Sequence, residues 1–247
     1  MSLTSRVENG VALLVIDRPP VNALDIAGWS ELADTVLALG RKPEVHVLVL
    51  AAEGKGFCAG VDIKELAAAG QPGMVDVNRA CHAAFGAVYD CEVPVIAAVQ
   101  GHCLGGGVGL AGNADVVIAA DDATFGLPEV DRGALGAATH LARLVPQHRL
   151  RAMYYTSATA SAEELRQYGS VLEVVPRSEL RAAALRLADV IAAKDPLVMR
   201  RAKEAMNGIE PLDVHRSYRY EQGFTFELSL SGAAAAAQQE FVQKRTK

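Results

Sequence analysis

The sequence has few of the residues on which several classes of protein depend. Only 5% of its 247 residues are aromatic, which argues against a nucleic-acid surface built on stacked rings. The net charge is −5 and no long basic run occurs, so neither DNA nor an anionic membrane is expected as the main partner. The apolar stretches fall well short of the ~18 residues that indicate a membrane span. We therefore expect no nucleic acid and no membrane among the partners.

Cysteine is also scarce, and its spacing indicates no metal or disulfide framework. The four cysteines include no CxxC pair, and no histidine follows at zinc-finger distance. This pattern predicts free thiols in a reducing compartment. Residues 1–9 contain Glu8 and no long apolar run, unlike a signal peptide. The sequence thus predicts a cytoplasmic protein without a metal site.

What the chain does contain is an alternation of strand and helix patterns. Asn9-Gly10 lies between two strand-like segments and predicts a type I′ hairpin. Asp25 is a candidate N-cap for a helix that ends near Gly40. Apolar runs typical of strands buried on both faces occupy Val45–Ala52, Val95–Val99 and Asp115–Ala119. Strands that alternate with helices predict an α/β fold with parallel βαβ units.

The last third of the chain has a different, mainly helical pattern. Asp195-Pro196 and Glu210-Pro211 are candidate helix boundaries, and Ala233–Ala237 favours helix. Gly70–Gly73 predicts a break before a helix that ends near Glu92. We divide the chain into a core of residues 1–190, which binds and catalyses, and a helical subdomain of residues 191–247. The subdomain is predicted to form contacts between subunits and to close the pocket.

Two glycine-containing loops, residues 55–64 and residues 101–110, each follow a buried strand. Glycines let a backbone approach a ligand closely, and a helix that begins at such a loop adds the positive end of its dipole. If the loops lie close together, their amides form a two-donor oxyanion hole. The alternative is that each is a tight turn between strand and helix. Neither loop contains the GxxxxGK[ST] motif of phosphate-binding nucleotide sites.

A third stretch, Phe125–Gly136, places Glu129, Asp131 and Arg132 in a glycine-bounded loop. These residues are either a solvated charge cluster or a general base whose neighbours tune its pKa.

Together these stretches resemble the crotonase (enoyl-CoA hydratase/isomerase) superfamily in order and spacing. The resemblance includes Arg18–Leu24, the AG-x-DIK loop at 59–64, the GG-G loop at 105–109, the FG-x-PE segment at 125–129 and Phe241–Arg245. It implies a spiral of ββα units with a helical C-terminal part, assembled as a homotrimer or a dimer of trimers. It also implies an acyl-CoA thioester as substrate and no metal or redox cofactor.

The resemblance also implies roles for individual residues. The amides of Val61 and Gly106 would hold the thioester oxygen as it becomes an enolate. Glu129 would act as acid–base residue, with Asp131 and Arg132 as further catalytic candidates. The predicted substrate and CoA contacts are Asn22, Ala23, Leu24, Ala59, Gly60, Val61, Asp62, Ile63, Lys64, His102, Gly105 and Gly106.

One departure from the family pattern bears on the reaction. Enoyl-CoA hydratases of this family carry a first catalytic glutamate three residues after the oxyanion glycine, where this chain has Gly109. Without it, ordinary hydration of a double bond lacks half of its acid–base machinery. We also expect the missing side chain to leave room for a bulkier acyl group. Acidic residues that other relatives place later in the third loop correspond here to Gly136 and Ala137.

Residues 126–140 and 221–228 are similar to an actinobacterial branch of the family that opens a ring of a bicyclic CoA thioester in steroid degradation. This similarity implies hydrolytic cleavage of a C–C bond in a cyclic keto acyl-CoA. The alternatives are a Δ-enoyl-CoA isomerase or weak hydratase, and a non-enzymatic acyl-CoA-binding partner protein. His140 is interpreted as structural, and Tyr218 as a core residue or as a wall of the acyl pocket.

Overall fold

A six-stranded sheet forms the centre of the fold. The computed structural model describes residues 3–232, without the side chains of residues 66–72. The strands, in spatial order, are β1 (Leu3–Glu8), β2 (Val11–Ile16), β4 (Val47–Ala52), β6 (Val95–Val99), β8 (Val116–Ala120) and β11 (Glu173–Val175). β1 is antiparallel to β2, and all other neighbours are parallel. The predicted α/β class with parallel βαβ units is therefore confirmed.

Two smaller sheets hold the loops that leave the central sheet. In the first, β3 (Ala23–Leu24) pairs in parallel with β5 (Gly60–Val61). In the second, β7 (His102–Leu104) is parallel to β9 (Thr124–Gly126), which is antiparallel to β10 (Thr159–Ser161). These short ladders bring three segments that are distant in sequence to one end of the large sheet.

Helices cover both faces of the central sheet. They are α1 (Ile26–Gly40), α2 (Ile63–Tyr89), α3 (Gly106–Asn113), α4 (Ala138–Leu141), α5 (Gln147–Thr156), α6 (Ala162–Tyr168), α7 (Leu180–Ala192), α8 (Pro196–Ile209) and α9 (Val214–Leu230). Short 3₁₀ turns occupy Val130–Arg132 and Arg177–Glu179.

The two faces of the sheet belong to two apolar clusters. One cluster joins Leu14, Leu50 and Ala97 to the buried side chains of α1, α2 and α3. The other joins Val15, Val49, Ile96 and Ile118 to α7. Burial on both faces explains why these strands are continuous apolar runs with no alternation.

Local signals for turns and caps are confirmed. Asn9 and Gly10 have φ values of 51° and 83°, the two positive angles that a type I′ turn requires. The Asp25 carboxylate accepts a hydrogen bond of 2.7 Å from the Gly28 amide and so caps α1. Asp195 caps α8 in the same way, through the amide of Val198.

One predicted boundary is wrong: α2 continues through residues 70–73. A proline inside a helix removes one backbone hydrogen bond, but packing can hold both halves in register. Here Met74, Val77, Cys81 and Phe85 of α2 are all buried in the large apolar cluster. Packing in that cluster stabilises the C-terminal part of α2, and the helix continues without a break through residues 70–73.

The C-terminal helices follow the sequence pattern as far as residue 232. The division at residue 190 stays a prediction; α7, which contacts β2, β4, β6 and β8, extends to Ala192. Ala233–Ala237 and Phe241–Arg245 lie outside the described residues. Between residues 3 and 232, no helix combines the length and apolar character needed to cross a membrane.

Candidate active site

The two glycine loops meet where β5 passes the start of α3. A Cβ placed on Gly60 would lie 3.0 Å from the amide nitrogen of Gly106. The Asp62 amide donates to Leu24 O at 2.9 Å, toward β3. Because successive residues of a strand turn their N–H groups to opposite edges, the Val61 amide faces away from β3. The Val61 and Gly106 amides thus lie on neighbouring segments, as an oxyanion hole requires.

Gly105 sets the conformation of the second loop. Its φ of 55° and ψ of −116° lie in a region open mainly to glycine. No side chain caps α3, so Gly106 is its first residue and presents an amide at the positive end of the helix dipole. A Cβ on Gly105 would collide with Oε1 of Glu129, which places that carboxylate directly against the loop.

The Trp29 side chain packs directly against Gly106. The indole is fully buried, and a Cβ on Gly106 would lie 2.7 Å from its Cζ2 and Cη2 atoms. The Trp29 ring also packs edge-on against Phe85, with 5.4 Å between ring centroids. Rigid aromatic packing therefore fixes the backbone of the proposed oxyanion donor.

A cavity of about 170 Å³ lies in front of these amides. Six residues predicted from the sequence line it together: Ala59, Val61, Ile63, Gly106, Glu129 and Arg132. The other lining residues are Met74, Val77, Asn78, Cys81, Phe85, Ala134, Leu135, Gly136, Ala137, Tyr218 and Thr225. The lining is mostly apolar with few polar groups, as is usual for a site that binds an organic acyl group.

Glu129 is the only carboxylate among the described residues of the lining. Burial raises the pKa of its carboxyl from 4.5 to about 7, although a backbone hydrogen bond and the charge of Arg132 oppose the shift. Its Oε2 atom is buried and has no hydrogen-bond partner within residues 3–232. A carboxylate with a pKa near neutrality is suited to both accepting and returning a proton.

Asp131 and Arg132, which follow Glu129 on the same 3₁₀ turn, have different surroundings. Arg132 lines the cavity, and its charge lowers the pKa of Glu129. Asp131 is exposed and does not contribute to the described lining. A turn of 3₁₀ helix points adjacent side chains in different directions, which separates Asp131 from the cavity.

Several predicted CoA contacts serve the protein's own structure. The Asn22 amide is buried and donates to Glu53 O and Gly56 O at 2.8 Å. Leu24 is fully buried. The His102 ring nitrogen Nε2 lies 3.0 Å from Val21 O, and Asp62 caps α2. These residues hold the two loops in place, and none of them lines the cavity.

Most of the cavity wall that α2 contributes was not predicted from any motif in the sequence. Met74, Asn78, Cys81 and Phe85 line the cavity at helical spacings of four, three and four residues. An asparagine inside such an apolar stripe is the signal that could have identified this wall. Tyr218, from α9, lines the cavity, as one of the two interpretations of that residue predicted.

The expectation that Gly109 leaves room for the acyl group is wrong. A Cβ on Gly109 would lie 2.5 Å from Cζ of Phe85 and 2.6 Å from Cε2. The buried ring of Phe85 therefore fills the space in which the family's first glutamate would stand. A side chain at position 109 cannot enter the site unless this ring moves.

Gly109→Ala is accordingly expected to lower the free energy of unfolding by about 1–3 kcal/mol, the usual cost of overpacking a core. Gly208 is the matched control, because it also lies in a helix but a Cβ placed on it would have nothing within 4 Å. Gly208→Ala should raise the free energy of unfolding by about 0.5–1 kcal/mol. Urea denaturation measures both; equal effects at the two positions would contradict the packing of Phe85 on Gly109.

His140 has the structural role expected of it. Its Nδ1 lies 2.9 Å from Oδ1 of Asn113, whose Nδ2 donates to Phe85 O at 2.7 Å. Burial lowers the pKa of His140 to about 3. The neutral ring packs against Tyr218 and Phe85, with centroid separations of 4.7 and 5.1 Å. It thereby supports two walls of the cavity.

The loop that completes the cavity is held in place by a half-buried carboxylate on α9. Glu221 accepts hydrogen bonds from the amides of Ala138 and Thr139 at 2.9 and 3.1 Å. The Tyr154 hydroxyl donates to it at 3.1 Å. Burial raises the pKa of Glu221, and these hydrogen bonds oppose the rise. Glu221 therefore positions Ala134–Ala137 without lining the cavity itself.

Comparison with known proteins agrees with this geometry. Residues 6–246 match the family model described as Enoyl-CoA hydratase/isomerase. The chain belongs to this family. Its fold is also that of an enoyl-CoA hydratase/isomerase from Xanthobacter autotrophicus Py2, with a TM-score of 0.88 at 25% identity, covering 99% of this chain and 97% of that one.

Two relatives are far more similar in sequence. Both are named (7aS)-7a-methyl-1,5-dioxo-2,3,5,6,7,7a-hexahydro-1H-indene-carboxyl-CoA hydrolase. The protein of Rhodococcus jostii is 59% identical, over 98% of this chain and 95% of its own. That of Mycobacterium tuberculosis is 56% identical, over 99% of this chain and 100% of its own.

Proposed function

We propose that this protein is a hydrolase that breaks a C–C bond and so opens a ring of a cyclic keto acyl-CoA in steroid catabolism. One observation carries the proposal: a single carboxylate with a pKa near 7, Glu129, faces the same cavity as the Val61 and Gly106 amides. The family's other glutamate position is Gly109, and Phe85 fills its space. One acid–base group and two amide donors suit enolate chemistry better than hydration of a double bond.

The proposed reaction begins with water and Glu129. The carboxylate takes a proton from water, and the hydroxide oxygen bonds to the carbon of a ring ketone. The resulting alkoxide collapses to a carboxylic acid, and the C–C bond to the neighbouring ring carbon breaks. Its electron pair moves through the conjugated system to the thioester oxygen, which the Val61 and Gly106 amides hold. Glu129 then returns its proton to carbon, so one water is added overall.

The environment of the cavity suits these steps. The cavity is mostly apolar, so the amide dipoles act in a low dielectric where they stabilise charge strongly. Each step moves only protons and electron pairs, so the proposal includes no metal or redox cofactor. The names of the two relatives support the substrate class, because they describe a dioxo bicyclic acyl group on CoA.

Ring opening in H₂¹⁸O tests the proposal. Incubation with the bicyclic dioxo acyl-CoA should give a ring-opened acid with one heavy oxygen in its new carboxylate, measured by mass spectrometry. The control substrate is crotonyl-CoA, whose hydration should be slower by about 10²–10⁴-fold than by a two-glutamate hydratase. An unopened bicyclic thioester, together with conversion of a 3-enoyl thioester to its 2-enoyl isomer, would instead identify an isomerase. Binding without turnover of either thioester would identify an acyl-CoA-binding protein.

Assembly and location belong to the same proposal. We infer a homotrimer or a dimer of trimers in the cytoplasm. Leu197, Met206 and Ile209 of α8 and Tyr220 of α9 are each more than 60% exposed. Contact with a second copy would remove this apolar surface from water.

A further inference from the structure

Asn78 is a polar residue on the apolar α2 wall of the cavity. Its side chain is about nine-tenths buried, with 9% relative exposure, and it lines the same cavity as Val61, Gly106 and Glu129. Its Nδ2 atom is buried and has no hydrogen-bond partner among the described residues. A buried amide group without a partner is costly, so its retention in an apolar wall calls for a ligand atom.

The backbone of Asn78 is held from α9. Gln222, only 2% exposed, donates its Nε2 to Asn78 O at 2.8 Å. Arg219 in turn donates to Oε1 of Gln222 at 3.0 Å. This chain of hydrogen bonds ties α2 to α9 at the level of the cavity. The Asn78 side-chain amide is therefore presented from a fixed backbone.

The proposed substrate class supplies a matching acceptor. The relatives' names describe two ring oxo groups. Hydrolysis converts one into a carboxylate and leaves the other intact. Besides Asn78, the side-chain donors of the lining are the Arg132 guanidinium, the Tyr218 hydroxyl and the Thr225 hydroxyl, and the Thr225 hydroxyl already donates to Leu135 O at 2.7 Å. A carbonyl buried in such a cavity needs a donor.

We propose that the Nδ2 group of Asn78 donates a hydrogen bond to the ring ketone that the reaction leaves intact, and so selects dioxo acyl groups over mono-oxo ones. This inference rests on the proposed function for the identity of the acyl group. It assigns Asn78 to recognition of substrate and leaves proton transfer to Glu129.

The test measures affinity for two ligands that cannot be turned over. Both are CoA thioesters of the bicyclic acyl group with a methylene in place of the ring ketone that water attacks, so neither can be hydrolysed. The first, the ketone-bearing ligand, keeps the other ring oxo group, and the second has a methylene there as well. Titration calorimetry should show that the wild-type protein binds the ketone-bearing ligand about tenfold more tightly than the second.

Asn78→Leu, which has a similar volume and no donor, should reduce this ratio to about one. Met74→Leu is the matched control on the same wall, and it should shift both affinities alike and keep the ratio. If Asn78→Leu does not fold by circular dichroism, Asn78→Ala removes the donor with a smaller side chain. The proposal is overturned if the wild-type protein shows no preference or if the Asn78 variants retain it.

Because neither ligand reacts, this ratio is independent of turnover. A wild-type protein that prefers the ketone-bearing ligand but opens no ring in labelled water contradicts the hydrolase assignment alone. Ring opening by a protein whose preference survives Asn78→Leu contradicts the role of Asn78 alone.

Discussion

Glu129→Gln is expected to lower kcat for ring opening by about 10²–10⁴-fold, the usual contribution of a general acid–base group. The amide keeps the shape of the carboxyl but accepts no proton. In the wild-type protein the base must be ionised, so kcat/KM should rise with pH and level off above the pKa of about 7. Steady-state rates between pH 5 and 9 measure both effects. Asp131→Asn is the control from the same turn, and because Asp131 is exposed it should change kcat by less than about threefold.

The same substitution has a thermodynamic signature. Burial raises the pKa of Glu129 above its ordinary value of 4.5, so the folded protein holds this proton more tightly than the unfolded chain. The group's contribution to stability is thus complete below pH 4.5 and is lost as pH rises toward 7. Glu129→Gln removes that loss and should stabilise the protein at pH 8 by about 1–3 kcal/mol more than at pH 4.5. A stability difference between the two proteins that does not depend on pH would contradict a pKa of about 7 for the Glu129 carboxyl.

Gly106→Pro is expected to lower kcat strongly, because it removes one of the two oxyanion donors. Gly106 is the first residue of α3, where proline is compatible with a helix. The substitution removes the N–H group but also places a Cβ against Trp29. Gly106→Ala introduces the same Cβ and keeps the N–H group, so it separates the two effects.

The ratio of kcat between Gly106→Ala and Gly106→Pro should be about 10²–10³, the usual effect of one oxyanion donor. Circular dichroism and thermal melts establish that both variants fold before rates are compared. Similar rates in the two variants would show that the Gly106 amide does not stabilise the enolate. A loss that appears only in KM would assign the amide to binding of the ground state.

Local patterns in the sequence account for most of the secondary structure. The hairpin at Asn9-Gly10, the Asp25 cap and the run Val95–Val99 depend on interactions between near neighbours or on burial of whole strands. Such signals act over a few residues and can therefore be read without the fold. The break predicted at residues 70–73 failed because packing of α2 outweighed a local helix-breaking signal.

The sequence by itself also determined the family and the loops that meet at the cavity, because the positive φ angles at Gly60 and Gly105 admit little besides glycine. Tertiary structure alone decided which side chains face the acyl group. Phe85 fills the space at Gly109, and Asn78 enters the cavity wall from the middle of a long helix. Burial, a property of the whole fold, moves the pKa of Glu129 to about 7. These features depend on contacts between segments that are distant in sequence, and the spacing of residues within one segment does not reveal such contacts.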